Sequence, residues 1–335
     1  MRDMKEALRA LDPAGLAGAD ETASQAQARL EAIVGTPRPV LAARTRDRRS
    51  RRWVLAGVSV AASVAIGLVV ADPFGSTAQP AYAVTPRPLS YQPADRPADQ
   101  VLEEIALRVA SLPDDRPATW SVERFVQESW SLSTRVDGLQ VTSAVIPEYR
   151  VTWEKPDGSS RWTVKTLPPQ FQNTEQRKTW EAAGAVGDAP EESSGSAPST
   201  TPAGEPPSTP GGMQKWLATG QTLLTPGLAF EVVPERFMDH VFSPAQRAAL
   251  LRVLKNMDGI VYAGVVRDRA GREGQAFSLT SDFGGLPNKR TLVFDPSTGS
   301  LLAYEEELTS DPGALNVKTP AVIDYSTFLT AERLP

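Results

Sequence analysis

Few side chains in this sequence are suited to chemistry. Cysteine is absent, which removes disulfides, thiolate metal sites and cysteine nucleophiles. His240 is the one histidine, so a multi-histidine metal site cannot form and a Ser-His-Asp triad would have to use it. It follows Phe237-Met238-Asp239 at a predicted helix end and reads as structural. Glu305, Glu306 and Glu307 form the densest acidic run and raise the question of a cation site. Consecutive carboxylates on a strand point to opposite faces, so the run reads as a solvated strand end. Asp295-Pro296-Ser297-Thr298-Gly299 looks like a motif but carries turn chemistry. Trp120, Trp130, Trp153 and Trp162 line an apolar cleft for a lipid or peptide, or pack the core of a twisted sheet. No nucleophile elbow, phosphate loop, dinucleotide fingerprint or zinc motif is present. The expectation is a protein without catalytic residues, metal or cofactor.

The elements that would position these residues begin with an asymmetry of charge. Residues 1–52 carry 11 Lys/Arg against 7 Asp/Glu, and the rest carries 24 against 33, which gives +4, −9 and the total of −5. The run Trp53 to Ala71 has no charge and no proline, and at 1.5 Å per residue it spans roughly 28 Å, close to a bilayer's hydrocarbon thickness. Arg44, Arg46, Arg48, Arg49, Arg51 and Arg52 precede it, and the next basic residue after it is Arg87. Basic flanks stay in the cytoplasm, so the reading is one transmembrane helix at 53–71, N-terminus inside, in the plasma membrane. Arg48, Arg49, Arg51, Arg52 and Trp53 form its flank, the bilayer lipid is a partner, and the arginines need no nucleic acid to explain them. Three other readings stay open: a buried helix, a nucleic-acid patch, and a cleaved signal ending at Ala81-Tyr82-Ala83.

Inside, residues 1–52 hold two short helices. Met4, Ala7, Leu8 and Leu11 make one stripe; Ala23, Ala26, Leu30, Ile33 and Val34 make the other. Such helices are marginal alone and would order on a partner, with Leu8, Leu11, Leu30 and Ile33 as the contact residues. Outside, 72–96 reads as a Pro/Ala-rich stalk and 97–335 as an α+β domain. Its helices are expected at Val101–Leu112, Trp216–Leu224 and after the capping box Ser243-Pro244-Ala245-Gln246. Hairpins are expected around Lys155–Gly158, Ala270-Gly271 and Asp295–Gly299, and a last strand near Ala321–Leu329. Residues 184–212, rich in Ser, Pro, Gly, Thr and Glu, read as a disordered insertion. Strands grouped in hairpins argue an antiparallel sheet with packed helices.

Several stretches resemble a family of largely uncharacterised actinobacterial membrane proteins. They are Met4-Lys5-Glu6-Ala7-Leu8-Arg9, Ala28-Arg29-Leu30, the arginine run, Ser243-Pro244-Ala245-Gln246-Arg247-Ala248-Ala249-Leu250, and Val293-Phe294-Asp295-Pro296-Ser297-Thr298-Gly299-Ser300-Leu301-Leu302. Genes of that family often sit beside genes for extracytoplasmic-function sigma factors, and the layout is similar to membrane anti-sigma factors. Their His-x3-Cys-x2-Cys zinc segment is absent here. The resemblance implies a regulatory or sensor protein coupling an outer domain to a cytoplasmic sigma factor. The outer domain is similar in pattern to the helix-plugged half-barrels of lipoprotein carriers and sigma-regulator sensors. The alternative is a tethered binding module for lipid or peptide. The outer ligand is unassigned by the sequence.

Overall fold

The structure, a computed structural model, describes residues 83–335 apart from 115, 118, 133–143, 183, 186–190, 198–203, 219, 314 and 316. In chain order the strands are β1 (Tyr91–Gln92), β2 (Val122–Ser131), β3 (Glu148–Glu154), β4 (Ser160–Thr166), β5 (Glu192–Ala197), β6 (Val261–Arg267), β7 (Glu273–Ser281), β8 (Asn288–Phe294), β9 (Leu301–Leu308) and β10 (Ala321–Leu334). The helices are α1 (Ala98–Ala110), α2 (Thr174–Ala182), α3 (Pro210–Leu217), α4 (Pro226–Asp239) and α5 (Pro244–Lys255).

Turn residues decide where the strands fold back. Gly158 N–H donates to the Lys155 carbonyl at 2.8 Å between β3 and β4. Gly271 N–H donates to the Asp268 carbonyl at 2.9 Å between β6 and β7. Asp295 Oδ1 accepts from Ser297 N–H at 2.7 Å between β8 and β9. These local hairpins build two meanders, β2–β5 and β6–β10. The last strand joins them: β10 pairs with β9 on one side and with the whole of β2 on the other. One ten-stranded sheet results, every pairing antiparallel, in the order β1-β6-β7-β8-β9-β10-β2-β3-β4-β5. Register shifts near Ala263, Ile323 and Leu329 mark bulges, which bend and twist such a sheet.

Four helices lie on one face of the β6–β10 half or against one another there. Leu102, Ile105 and Val109 of α1 share a buried cluster with Leu250, Leu251 and Leu254 of α5. Phe230, Val233 and Phe237 of α4 join Phe277, Leu292, Phe294 and Phe328 of the sheet in that cluster. Each fully buried side chain of this kind contributes about 1.5–3 kcal/mol. Caps fix the helix starts: Thr225 Oγ1 accepts from Leu228 N–H at 3.3 Å, and Ser243 with Gln246 completes the expected capping box ahead of Pro244.

The membrane architecture is corrected. The span expected at 53–71 and its flank Arg48, Arg49, Arg51, Arg52 and Trp53 lie outside the described residues. Among the described residues no helix is long and apolar enough to cross a membrane. The longest, α4, has 14 residues, which at 1.5 Å per residue reaches roughly 21 Å against a core of about 30 Å, and it carries Glu231 and Arg236. The single-pass fold, the membrane keywords and the plasma-membrane location therefore lack support and are withdrawn. The tail helices also lie outside the described residues, and with them Leu8, Leu11, Leu30 and Ile33.

Two further segments differ from expectation. The second half of the predicted stalk is docked: Tyr91 and Gln92 pair with Val266 and Val265, while Leu89 and Tyr91 pack on Val266, Ala276 and Val293. Scattered apolar side chains were enough to seat a proline-rich chain. Within 184–212, Glu192–Ala197 forms β5 and α3 begins at Pro210, because an exposed edge can hold a polar strand by backbone pairing alone.

Candidate functional site

The acidic run of β9 builds the site, with one half on each face of the sheet. Alternation sends Glu306 to the helix-covered face and Glu305 and Glu307 to the other. Sequence reasoning had this alternation right and the solvation wrong. Glu305 is 2% exposed and Glu307 is 7% exposed. Each lies beside a cation from a neighbouring element.

On the helix-covered face, the β8–β9 register sets Arg290 opposite Glu306, and the β9–β10 and β10–β2 registers align Asp324 and Ser131 with them. Arg290 Nη2 lies 2.9 Å from Glu306 Oε1 and 3.3 Å from Glu231 Oε2 of α4. Its Nη1 donates to the Phe283 carbonyl at 3.1 Å. Tyr304 donates to Glu306 at 3.2 Å, and Ser131 donates to Asp324 at 2.6 Å. Two carboxylates, Glu306 and Glu231, thus share one guanidinium, and Asp324 lies opposite Glu306 in the ladder. Burial pushes Asp324 up to about 7, against the Ser131 hydrogen bond and reinforced by Glu306 and Glu231. Burial also raises Glu306, an effect Arg290 only partly offsets. The cluster can take up or release a proton near neutrality, and Glu231 makes the α4–sheet contact part of the response. Among the described residues no group of three or more His, Asp or Glu could hold a metal ion.

On the opposite face, residues 83–92 form a strap across the sheet. Glu305 Oε1 accepts from Leu89 N–H at 3.1 Å, and its other oxygen pairs with Arg269. Arg269 also donates to the Arg87 carbonyl at 3.0 Å and lies 4.1 Å over the Tyr325 ring. Tyr325 stacks on Trp130 and donates to Glu128 at 3.3 Å. Farther along, Tyr91 donates to Thr291 at 3.4 Å, and Lys289 lies 2.5 Å from Glu307 and 5.7 Å from the Tyr91 ring. Gln172 donates to the Thr85 carbonyl at 2.5 Å and accepts from Arg87 through its own carbonyl. Burial raises Glu305, partly offset by Arg269, and pushes the Tyr91 phenol up to about 12, so Tyr91 keeps its proton at neutral pH. One strap therefore covers a buried ion pair through both backbone and side-chain bonds.

Gly264 of β6 makes this docking sterically specific. Its φ is +108°, and a Cβ there would fall within contact distance of the Gln92 carbonyl. The obstacle is backbone, which cannot rotate away.

The four tryptophans do not converge. Trp153 shares a face with its partner Arg161, and Trp162 shares the other with Thr152. Trp130 is buried against Tyr325 on the strap side. Trp120 stacks under Arg333, 4.6 Å away. His240 caps the end of α4, its ring 5.1 Å from Trp216, as the structural reading has it. The predicted contact residues Leu8, Leu11, Leu30 and Ile33 fall outside the described residues. Sequence reasoning missed Arg269, Arg290, Asp324 and Glu231. For Arg290 part of the signal existed, because the hairpin turning at Asp295–Gly299 brings it to the Glu305–Glu307 run, and a register shift between Val293 and Phe294 sets it opposite Glu306. No protein-family model matches this chain, and no curated protein matches it.

Proposed function

We propose that this protein is a non-catalytic regulator: its N-terminal segment holds a protein partner, and its sheet domain sets the availability of that segment. The observation that carries the reading is the strap. Residues 83–92, which follow the N-terminal part of the chain, are bound over the buried Arg269–Glu305 pair. A ligand, proton or partner that shifts the strap changes what precedes it. The resemblance drawn from the sequence points to a sigma factor as the partner to try first. The alternative, a binding module for lipid or peptide, has less support for a lipid, because Phe230, Leu250, Leu251 and Leu292 fill the space between helices and sheet.

The stripes of Leu8 and Leu11, then Leu30 and Ile33, would order on a groove of the partner. Their burial is worth roughly 1.5–3 kcal/mol per side chain, offset in large part by ordering of the backbone. Titration calorimetry of the full chain with a purified sigma factor encoded beside it tests this. Binding in the micromolar range, lost in the Leu8→Asp, Leu30→Asp double variant, supports the reading. Equal binding by the variant, or none at about 50 μM (near 6 kcal/mol), overturns it.

A further inference from the structure

Edge strand β5 reads Glu192-Ser193-Ser194-Gly195-Ser196-Ala197 and carries no buried side chain. It still pairs with β4 along its full length, from Lys165↔Glu192 to Ser160↔Ala197. Two contacts help to hold it. Lys165 lies 3.1 Å from Glu192 in an exposed ion pair, a kind that contributes little. The Trp162 ring lies on Gly195, where any Cβ would fall inside contact distance of the ring. Ser and Gly are poor strand formers, and a strand that buries no apolar surface opens at low free energy. Beneath it β4 presents the half-buried Trp162 beside the buried Val164 on one face, and the exposed Arg161 and Lys165 with Thr163 on the other, opposite serines, a glycine and Glu192 of β5.

We propose that the β4 edge is a strand-acceptor site, at which an extended segment of a protein partner displaces β5 and pairs antiparallel with β4. The register defines that segment. It carries an acid opposite Lys165, a β-branched apolar residue opposite Val164, glycine opposite Trp162 and an acid opposite Arg161. A segment of this kind gains cross-strand side-chain contacts that β5 lacks. A second copy's β5 would gain nothing over the tethered one, so a different protein is the occupant.

The test uses the full chain and a fluorescent peptide with the core Glu-Val-Thr-Gly-Glu-Val. The Thr163→Cys, Ser194→Cys variant joins two residues directly opposite in the ladder, and the chain has no other cysteine. Oxidation should lower peptide affinity about tenfold or more, and reduction should restore it. Gly195→Val should raise affinity about tenfold by expelling β5 from Trp162, and leave the melting temperature nearly unchanged. A peptide with valine in place of its glycine should bind more weakly. Equal binding in the oxidised and reduced states, or no binding to either protein at about 1 mM peptide, overturns the proposal. Disulfide formation mainly between chains would assign the edge to a second copy and overturn it as well. A strand that only blunts the sheet edge would leave Gly195→Val with no gain in affinity.

Discussion

Replacing Gly264 by alanine should detach the strap. The backbone at this position holds φ at +108°, and the new methyl would meet the Gln92 carbonyl rather than a movable side chain. Holding an L-residue in such a conformation costs about 1–2 kcal/mol. Relief by undocking gives up the β1–β6 pairing at Tyr91 and Gln92, at about 1 kcal/mol net per hydrogen bond. It also strips Glu305 of the Leu89 N–H and Arg269 of the Arg87 carbonyl. Together the loss should be on the order of 2–4 kcal/mol, a fall in Tm of roughly 5–10 °C for a domain of this size. Urea unfolding and amide exchange read it in two ways. Amides of 84–92 should lose protection, while those of β7, β8 and β9 keep theirs. A change under about 0.5 kcal/mol, with the strap amides still protected, would refute both the steric argument and the assignment of the strap as docked.

Asp324 gives a pH dependence of definite sign. Its folded value of about 7 lies above the ordinary 3.8, so the folded state holds a proton the unfolded state has lost, and stability falls as pH rises from about 4 to 7. A shift of that size is worth at most about 4 kcal/mol, and the partial exposure of the residue reduces it to about 1–2 kcal/mol. Asp324→Asn should therefore be more stable than the parent at pH 8 and gain less at pH 5; urea midpoints at both pH values check this, and an equal change at both contradicts it. Arg290→Leu should cost about 3–5 kcal/mol because Glu306 and Glu231 lose their cation, and adding Glu306→Leu should recover part of that; a larger loss in the double variant would show that the ion pair is not the source.

The strands were legible where turn chemistry punctuated them. Lys155–Gly158, Ala270-Gly271 and Asp295–Gly299 each turn a hairpin, and Ser243 with Gln246 starts a helix, because these signals are local. The end of the last strand was not legible: β10 runs to Leu334 since its final residues pair with β2, about two hundred residues away in sequence. Non-local pairing also hid the site. Within the β8–β9 hairpin the turn brings Lys289 and Arg290 to the acidic run, but the register shift between Val293 and Phe294 is what sets them opposite Glu307 and Glu306. Arg269 reaches Glu305 from the β6–β7 turn, and Leu89 covers the pair through a docked strap that composition marks as a stalk. Asp324 meets Glu306 through the β9–β10 pairing, whose register shift between Val322 and Asp324 no local signal announces. The polar β5 went unread because its strand comes from pairing and not from its own side chains.

Coupling between strap and N-terminal segment is the central claim, and one comparison tests it most directly. Titration calorimetry would measure the affinity of the full chain for the sigma factor proposed as its partner, with the parent sequence and with Gly264→Ala. The account predicts micromolar binding by the parent and a change of about fivefold or more in the variant, although Gly264 lies far in sequence from Leu8 and Leu30. Identical affinities, with the strap shown to be undocked by amide exchange, would contradict it.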